Sequence, residues 1–201
     1  MEDKYYYEYE TDSSYCYPST YVLKNKLNII DENELKAAER SITSLRTAQL
    51  MQNPICGKLD FNYLKSIHKF IFGDIYEWAG VTRTVNIEKG NTFCRCEFIE
   101  EQMDSIMRKL KNENYLENLS PEKLAERLAY YIGEINAIHP FREGNGRTQR
   151  MFIEFLALHN GFLLDFAKIS DDEMLEASVQ TFNLEYAFMS KLLLRALSIN
   201  E

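Results

Sequence analysis

The stretch His139-Pro140-Phe141-Arg142-Glu143-Gly144-Asn145-Gly146-Arg147-Thr148-Gln149-Arg150 separates two strongly helical patterns, and the architecture is read outward from it. Upstream, Ser120 can cap a helix and Pro121 suits its first position. Leu124, Leu128, Tyr131, Ile132, Ile135 and Ile138 then recur at helical spacing and form one apolar face. This helix should stop at Ile138, because Pro140 disfavours helical geometry at His139. Downstream, residues 147–159 are apolar on nearly every side through Met151, Phe152, Ile153, Phe155, Leu156 and Leu158. Such a pattern predicts a central helix buried by its neighbours, closed by Asn160-Gly161.

The flanking sequence extends the same design. Asp31 and Glu34 have capping-box spacing ahead of a helix running to about Gln52, with Leu35, Ala38, Ile42, Leu45 and Leu50 on its apolar side. Asp60 can cap a second helix in which Phe61, Leu64, Ile67, His68 and Ile71 recur before Gly73, so His68 is expected in the core or a groove. Helical patterns also cover residues 99–111, and 171–198 after the capping pair Ser170 and Glu173. Between them, residues 81–87 and 92–98 alternate around Glu88-Lys89-Gly90-Asn91, which predicts a β-hairpin over 81–98 and the only sheet. The expected fold is mainly α, a single-domain helical bundle over residues 21–201 with one β-hairpin. Residues 1–20, rich in Tyr and acidic groups, read as an arm laid on the domain.

Composition narrows the function classes. A length of 201 residues suits one domain, and 45% hydrophobic with 27% charged residues excludes fibrous or disordered chains. The formal net charge of −8 argues against broad binding to phosphate backbones, so no direct nucleic-acid partner is expected. No apolar run approaches a membrane span and the N-terminus does not resemble a signal peptide, which makes the cytoplasm the expected compartment. Cys16, Cys56, Cys94 and Cys96 are accordingly expected to be reduced thiols.

The chemistry concentrates in residues 139–150. Gly144, Asn145 and Gly146 stand immediately before a helix N-terminus, where unsatisfied N–H groups and the positive dipole end attract anions, a cradle suited to phosphates. Arg147 and Arg150, three apart, fall on one side of the first turn and are both expected to reach those phosphates. Glu143 beside phosphates implies a hard cation between them, so Mg²⁺ bound to a nucleotide is expected there. His139 ends the preceding helix, whose partly negative C-terminus favours imidazolium and suits a general base.

The same string resembles the motif of the Fic family, His-Pro-Phe-x-Asp/Glu-Gly-Asn-Gly-Arg-x-x-Arg, with His139, Pro140, Phe141, Glu143, Gly144, Asn145, Gly146, Arg147 and Arg150 meeting every fixed position. Tyr17-Pro18, the run Ile75-Tyr76-Glu77-Trp78-Ala79-Gly80 and the pair Glu134 and Asn136 extend the resemblance over most of the chain, toward the cell-filamentation branch. The related Doc kinases carry Lys where Gly146 stands. The resemblance implies transfer of AMP from ATP to a Tyr, Ser or Thr hydroxyl of a target protein with release of pyrophosphate. It implies that His139 deprotonates that hydroxyl, that Glu143 holds Mg²⁺, and that Gly144, Asn145 and Gly146 cradle the phosphates while Arg147 and Arg150 neutralise them. Phe141 then anchors the loop in the core, and Asn136, Lys89 and Gly90 are expected to touch the nucleotide. The 81–98 hairpin resembles the family's flap, which docks the target protein as an added strand.

Many Fic proteins carry an inhibitory helix with the pattern Ser/Thr-x-x-x-Glu-Gly/Asn, whose glutamate pairs with the second motif arginine, here Arg150. In this chain Ser or Thr precedes Glu by four residues only at Thr84 with Glu88 and at Thr181 with Glu185, followed by Lys89 and Tyr186, so neither completes the pattern. A separate small antitoxin contacting Arg150 is therefore expected, with Glu185 as the internal alternative. Transfer of UMP, GMP or phosphate, and a non-catalytic nucleotide-binding module, are the competing functional readings.

Overall fold

The computed structural model describes residues 6–7, 14–89 and 91–200. Seven helices dominate the described residues: α1 (Glu32–Gln52), α2 (Phe61–Phe72), α3 (Ile99–Asn112), α4 (Pro121–Ile138), α5 (Asn145–His159), α6 (Asp171–Phe182) and α7 (Ala187–Ala196). Their starts follow the expected chemistry. Asp31 accepts from the Glu34 N–H at 2.8 Å, Asp60 from that of Tyr63 at 2.9 Å, and Ser170 with Glu173 forms a complete capping box. α4 is the hub, packing on α3, α5, α6 and α7, whereas α5 lies between α2 and α4. The apolar side expected for α1 is narrower in fact: Leu35 and Leu50 are buried but Leu45 is 60% exposed, because α1 packs chiefly on α2.

The β-structure departs from expectation in three ways. The hairpin ladder is short, with β2 (Ile87–Lys89) and β3 (Asn91–Thr92) paired antiparallel through Glu88 and Thr92. The flanking residues make their bonds elsewhere: Arg83 N–H donates to Pro140 O at 2.9 Å and Cys94 N–H to Ala137 O at 3.1 Å. The alternation over 81–98 therefore reflects burial against the end of α4. The N-terminal strand β1 (Tyr6–Tyr7) lies antiparallel on the other edge of β2, with Tyr6 opposite Glu88 and Tyr7 opposite Ile87. Finally, a second sheet exists, in which β4 (Phe162–Leu164) pairs with β5 (Leu197–Ile199), so the expectation of a single sheet is corrected. Residues 171–198 likewise hold two helices and a strand, broken where Leu184 takes a left-handed φ of 65°. Tyr15 and Cys16 already belong to the core, so packing begins inside the stretch expected to be an arm.

α2 carries the residue that ties the fold to the 139–150 loop. His68 is fully buried, accepts the Gly80 N–H at Nδ1 (2.8 Å) and therefore presents Nε2–H to Glu143 O at 2.9 Å. Its ring stacks on Phe141 with centroids 3.9 Å apart. Gly80 must be glycine: its φ is 84° and a Cβ would stand 2.8 Å from Lys69 Cβ. Burial holds His68 well below its ordinary value of 6.5, at about 4. In the unfolded chain this histidine takes up a proton near pH 6.5. Stability present above that pH is therefore lost as pH falls from 6.5 toward 4, at up to about 1.4 kcal/mol per pH unit. The His68→Gln variant should be less stable at pH 7.5, and its deficit in urea midpoint relative to wild type should shrink at pH 5. Parallel pH dependences of the two midpoints would refute this role.

Candidate active site

The site is a corner between the C-terminus of α4 and the N-terminus of α5. The chain leaves α4 through His139, which caps it in the left-handed region at φ 53° and ψ 62°. Asn145 closes the corner: its Oδ1 accepts the Phe141 N–H at 2.8 Å and its Nδ2 donates to Phe141 O at 2.7 Å. Phe141, 1% exposed, pins the loop into the core as expected. Gly144 caps α5 at φ 79°, and a Cβ there would meet Phe72 Cζ at 2.2 Å, so only glycine fits. No side chain caps α5, which leaves the N–H groups of its first turn available to an anion.

The tautomer of His139 follows from its neighbour. Its Nδ1 lies 3.2 Å from Asn136 O, which can only accept, so Nδ1 carries the proton and Nε2 the lone pair. The Phe93 ring of the hairpin covers the imidazole face, with centroids 3.9 Å apart and planes 19° from parallel. Glu143 lies at the corner, its side chain 25% exposed, with Oε1 accepting the Gly144 N–H at 2.8 Å. Burial, then the nearby Glu39 carboxylate, raises its pKa above the usual carboxylate value. A carboxylate in that state gains from an added cation.

The two motif arginines do different things. Arg147 reaches α1 as well as the loop. Its Nη2 meets Glu39 Oε1 at 2.6 Å, its Nη1 donates to Thr43 Oγ1 at 3.0 Å, and its guanidinium lies 4.6 Å from the centre of the Phe72 ring. Tyr76 O–H donates to the other oxygen of Glu39. Arg147 bridges Glu39 and, at 3.7 Å, Glu143 of the loop. Arg150 makes no hydrogen bond or ion pair among the described residues, and its Nη1 would stand 3.7 Å from a Cβ on Gly146. Burial, then Arg147, disfavours its charge, which Glu154 and Asp171 partly offset. Glu154 is itself pushed up to about 7 by burial.

Other expected residues fall at varying distances from this centre. Asn145 acts through its loop bonds, since both ends of its carboxamide are engaged. Asn136 orients His139 through its carbonyl, while its side chain accepts from Gln149 at 3.4 Å. Gly90 lies outside the described residues, as does the side chain of Lys89. Glu185 is exposed beyond the end of α6 and pairs with nothing at Arg150. No group of three or more His, Cys, Asp or Glu side chains suited to a metal occurs among the described residues. The sequence reading missed Glu39, Thr43 and Tyr76, which hold Arg147 from remote elements, and Arg83 and Phe93, which join the hairpin to His139. Only the hairpin pair carried a signal, a buried-face position in the alternating run.

Comparison with known proteins agrees with this geometry. A family model described as Fic/DOC matches residues 58–157. The chain is 40% identical over 189 residues to protein adenylyltransferase VbhT of Bartonella schoenbuchensis, covering 94% of this chain and 40% of that protein. It is 38% identical over 179 residues to a protein of Escherichia coli K12 named probable protein adenylyltransferase Fic, covering 89% and 87%. Among solved structures, the N-terminal Fic domain of a Bartonella quintana effector with bound ADP superposes with a TM-score of 0.88 at 29% identity, over 94% of this chain and 96% of that one. Sequence, fold and the closed 139–150 corner agree, and the chain belongs to the Fic/DOC family.

Proposed function

We propose that this protein transfers AMP from ATP to a Tyr, Ser or Thr hydroxyl of a target protein. The observation that carries the reading is a fixed imidazole lone pair beside an uncapped helix N-terminus with an unpaired arginine. His139 Nε2 takes the proton of the acceptor hydroxyl. The oxygen attacks the α-phosphorus, the bond from that phosphorus to the bridging oxygen breaks, and pyrophosphate departs with the electron pair. The first-turn N–H groups of α5 bind phosphate oxygens, and Arg150 offsets the charge that builds on the leaving group. The residues present fit Mg²⁺ held by one carboxylate, phosphate oxygens and waters, since Glu143 is partly exposed and its charge is disfavoured. When bound, the ion would neutralise phosphate charge. The names of VbhT and of the Escherichia coli protein, and the ADP in the Bartonella quintana domain, support the adenylyl group and the nucleotide.

Two partners follow from this reading. A target segment pairs with the hairpin flap, where β3 has β2 on one side and no other strand among the described residues on its far edge. A small antitoxin supplies the glutamate for Arg150, a reading supported by the absence of any carboxylate paired with Arg150 among the described residues. We place the protein in the cytoplasm; no described helix is long and apolar enough to cross a membrane.

Incubated with ATP, Mg²⁺ and a host-cell lysate, the wild type should label a protein with an AMP-sized mass increase. His139→Ala should cut that rate by about 10²–10⁴-fold; equal labelling by the variant, or labelling from UTP in preference to ATP, would overturn the base or the adenylyl group respectively. The arginines should separate by assay. Arg150→Ala should weaken ATP binding measured by calorimetry roughly tenfold or more with little change in melting temperature, since charge-assisted hydrogen bonds contribute about 1.5–3 kcal/mol. Arg147→Ala should mainly lower the melting temperature, because it leaves Glu39 without its cation. The reverse pattern would show that Arg147 is the phosphate ligand.

A further inference from the structure

Arg83 stands two residues into the hairpin segment and is 2% exposed, yet no carboxylate pairs with it among the described residues. Buried guanidinium groups ordinarily meet a carboxylate or phosphate. Arg83 meets four backbone carbonyls instead. Its Nε donates to His139 O at 2.8 Å, Nη1 to Val85 O at 2.7 Å, and Nη2 to Ile138 O at 3.2 Å and to Cys94 O. Its own N–H adds the bond to Pro140 O. One side chain therefore gathers both strands of the flap's base and the end of α4.

Two features make this more than cohesion. The carbonyls of Ile138 and His139 are among those left unsatisfied at a helix C-terminus, where partial negative charge accumulates and a cation is favoured. His139 is also a non-glycine residue in the left-handed region, a strained conformation that persists only where surroundings over-determine it. Arg83 holds its carbonyl, Asn136 its Nδ1 and Phe93 its ring face, and Phe93 directly precedes Cys94, whose carbonyl Arg83 also holds. The base and the flap are thereby held in a single geometry.

We infer that Arg83 is a positioning residue that fixes His139 relative to the flap, so that the base meets a hydroxyl presented by a strand docked there. The inference rests on the transferase reading for its kinetic consequence, though not for its structural one. It has no part in nucleotide binding, which falls to the first turn of α5 and Arg150.

The test compares wild type, Arg83→Lys and Arg83→Gln, with Leu110→Ala as a destabilised control in the buried face of α3. Neither Arg83 replacement can reach four carbonyls at once. Each Arg83 variant that melts cooperatively should bind ATP and Mg²⁺ within about twofold of wild type while kcat falls at least tenfold. Leu110→Ala should keep kcat per folded molecule. Because the chain has three histidines, the imidazole resonances of His68, His139 and His159 can be followed by NMR. The His139 signal should shift and its pH titration change in the Arg83 variants, with His159 unmoved. Unchanged kcat with an unchanged His139 resonance would overturn the inference, as would parallel losses of nucleotide affinity and kcat. Should wild type transfer no nucleotide, the transferase reading falls, and the NMR comparison still decides whether Arg83 sets His139.

Discussion

The reciprocal pair of hydrogen bonds between the Asn145 carboxamide and the Phe141 backbone closes the corner on which the rest of the structure depends. Both bonds are buried, so a lost partner would leave a desolvated amide, a cost of about 1–3 kcal/mol. Closing the corner places Gly144 against Phe72 and turns the Glu143 carbonyl toward His68. Three separate elements then converge on twelve residues: α1 through Glu39, α2 through His68 and Phe72, and the hairpin through Arg83 and Phe93. A loop so constrained from outside can retain a left-handed histidine that its own sequence disfavours. The strain belongs to the loop, and the restraint belongs to the surrounding helices.

The corner gathers positive charge within an acidic protein. Its net charge is −8, but Arg83, Arg142, Arg147 and Arg150 all lie within or against this region. Arg83 meets carbonyls, and Arg142 is buried beside Cys16 Sγ at 3.8 Å and the Tyr15 ring. Arg147 is paired with Glu39, which leaves Arg150 as the motif arginine whose charge is uncompensated by contact. Glu39 is thus as consequential as the motif itself. By drawing Arg147 toward α1, it gives the two motif arginines different surroundings although both belong to the same pattern.

Much of this was legible in the sequence because it rests on local physics. Asp31, Asp60, Ser120 and Ser170 marked helix starts, Pro140 marked the end of α4, and Gly144 to Gly146 marked the start of α5. What escaped depends on distant partners. The pairing of Phe162–Leu164 with Leu197–Ile199 joins two short segments across α6 and α7, and neither is long enough to show a period. The alternation over residues 81–98 corresponds to a β2–β3 ladder only over residues 87–92, because burial against α4 produces the same period as strand pairing. Arg83 shows the difficulty best. A charged residue on a buried face reads as a flaw in the pattern until its four carbonyl partners are known. The docking of Glu39 on Arg147 spans 108 positions and leaves no local trace.

The two helix ends that meet at the corner are of opposite sign, so one short loop joins two opposite electrostatic environments. The C-terminus of α4 carries partial negative charge, which complements the positive charge arising on an imidazole that accepts a proton. The N-terminus of α5 carries partial positive charge and exposes N–H groups, which complements phosphate. Five residues lie between Ile138, the last residue of α4, and Gly144, the cap of α5, so His139 and the start of α5 are neighbours without either helix end facing its own sign. Arg83 and Glu143 extend the same logic. The guanidinium offsets the carbonyls at the end of α4, and the Glu143 carboxylate accepts the N–H of the residue that caps α5. Reversing either charge would place like against like at a helix end, and the corner would lose the property that makes its two halves compatible.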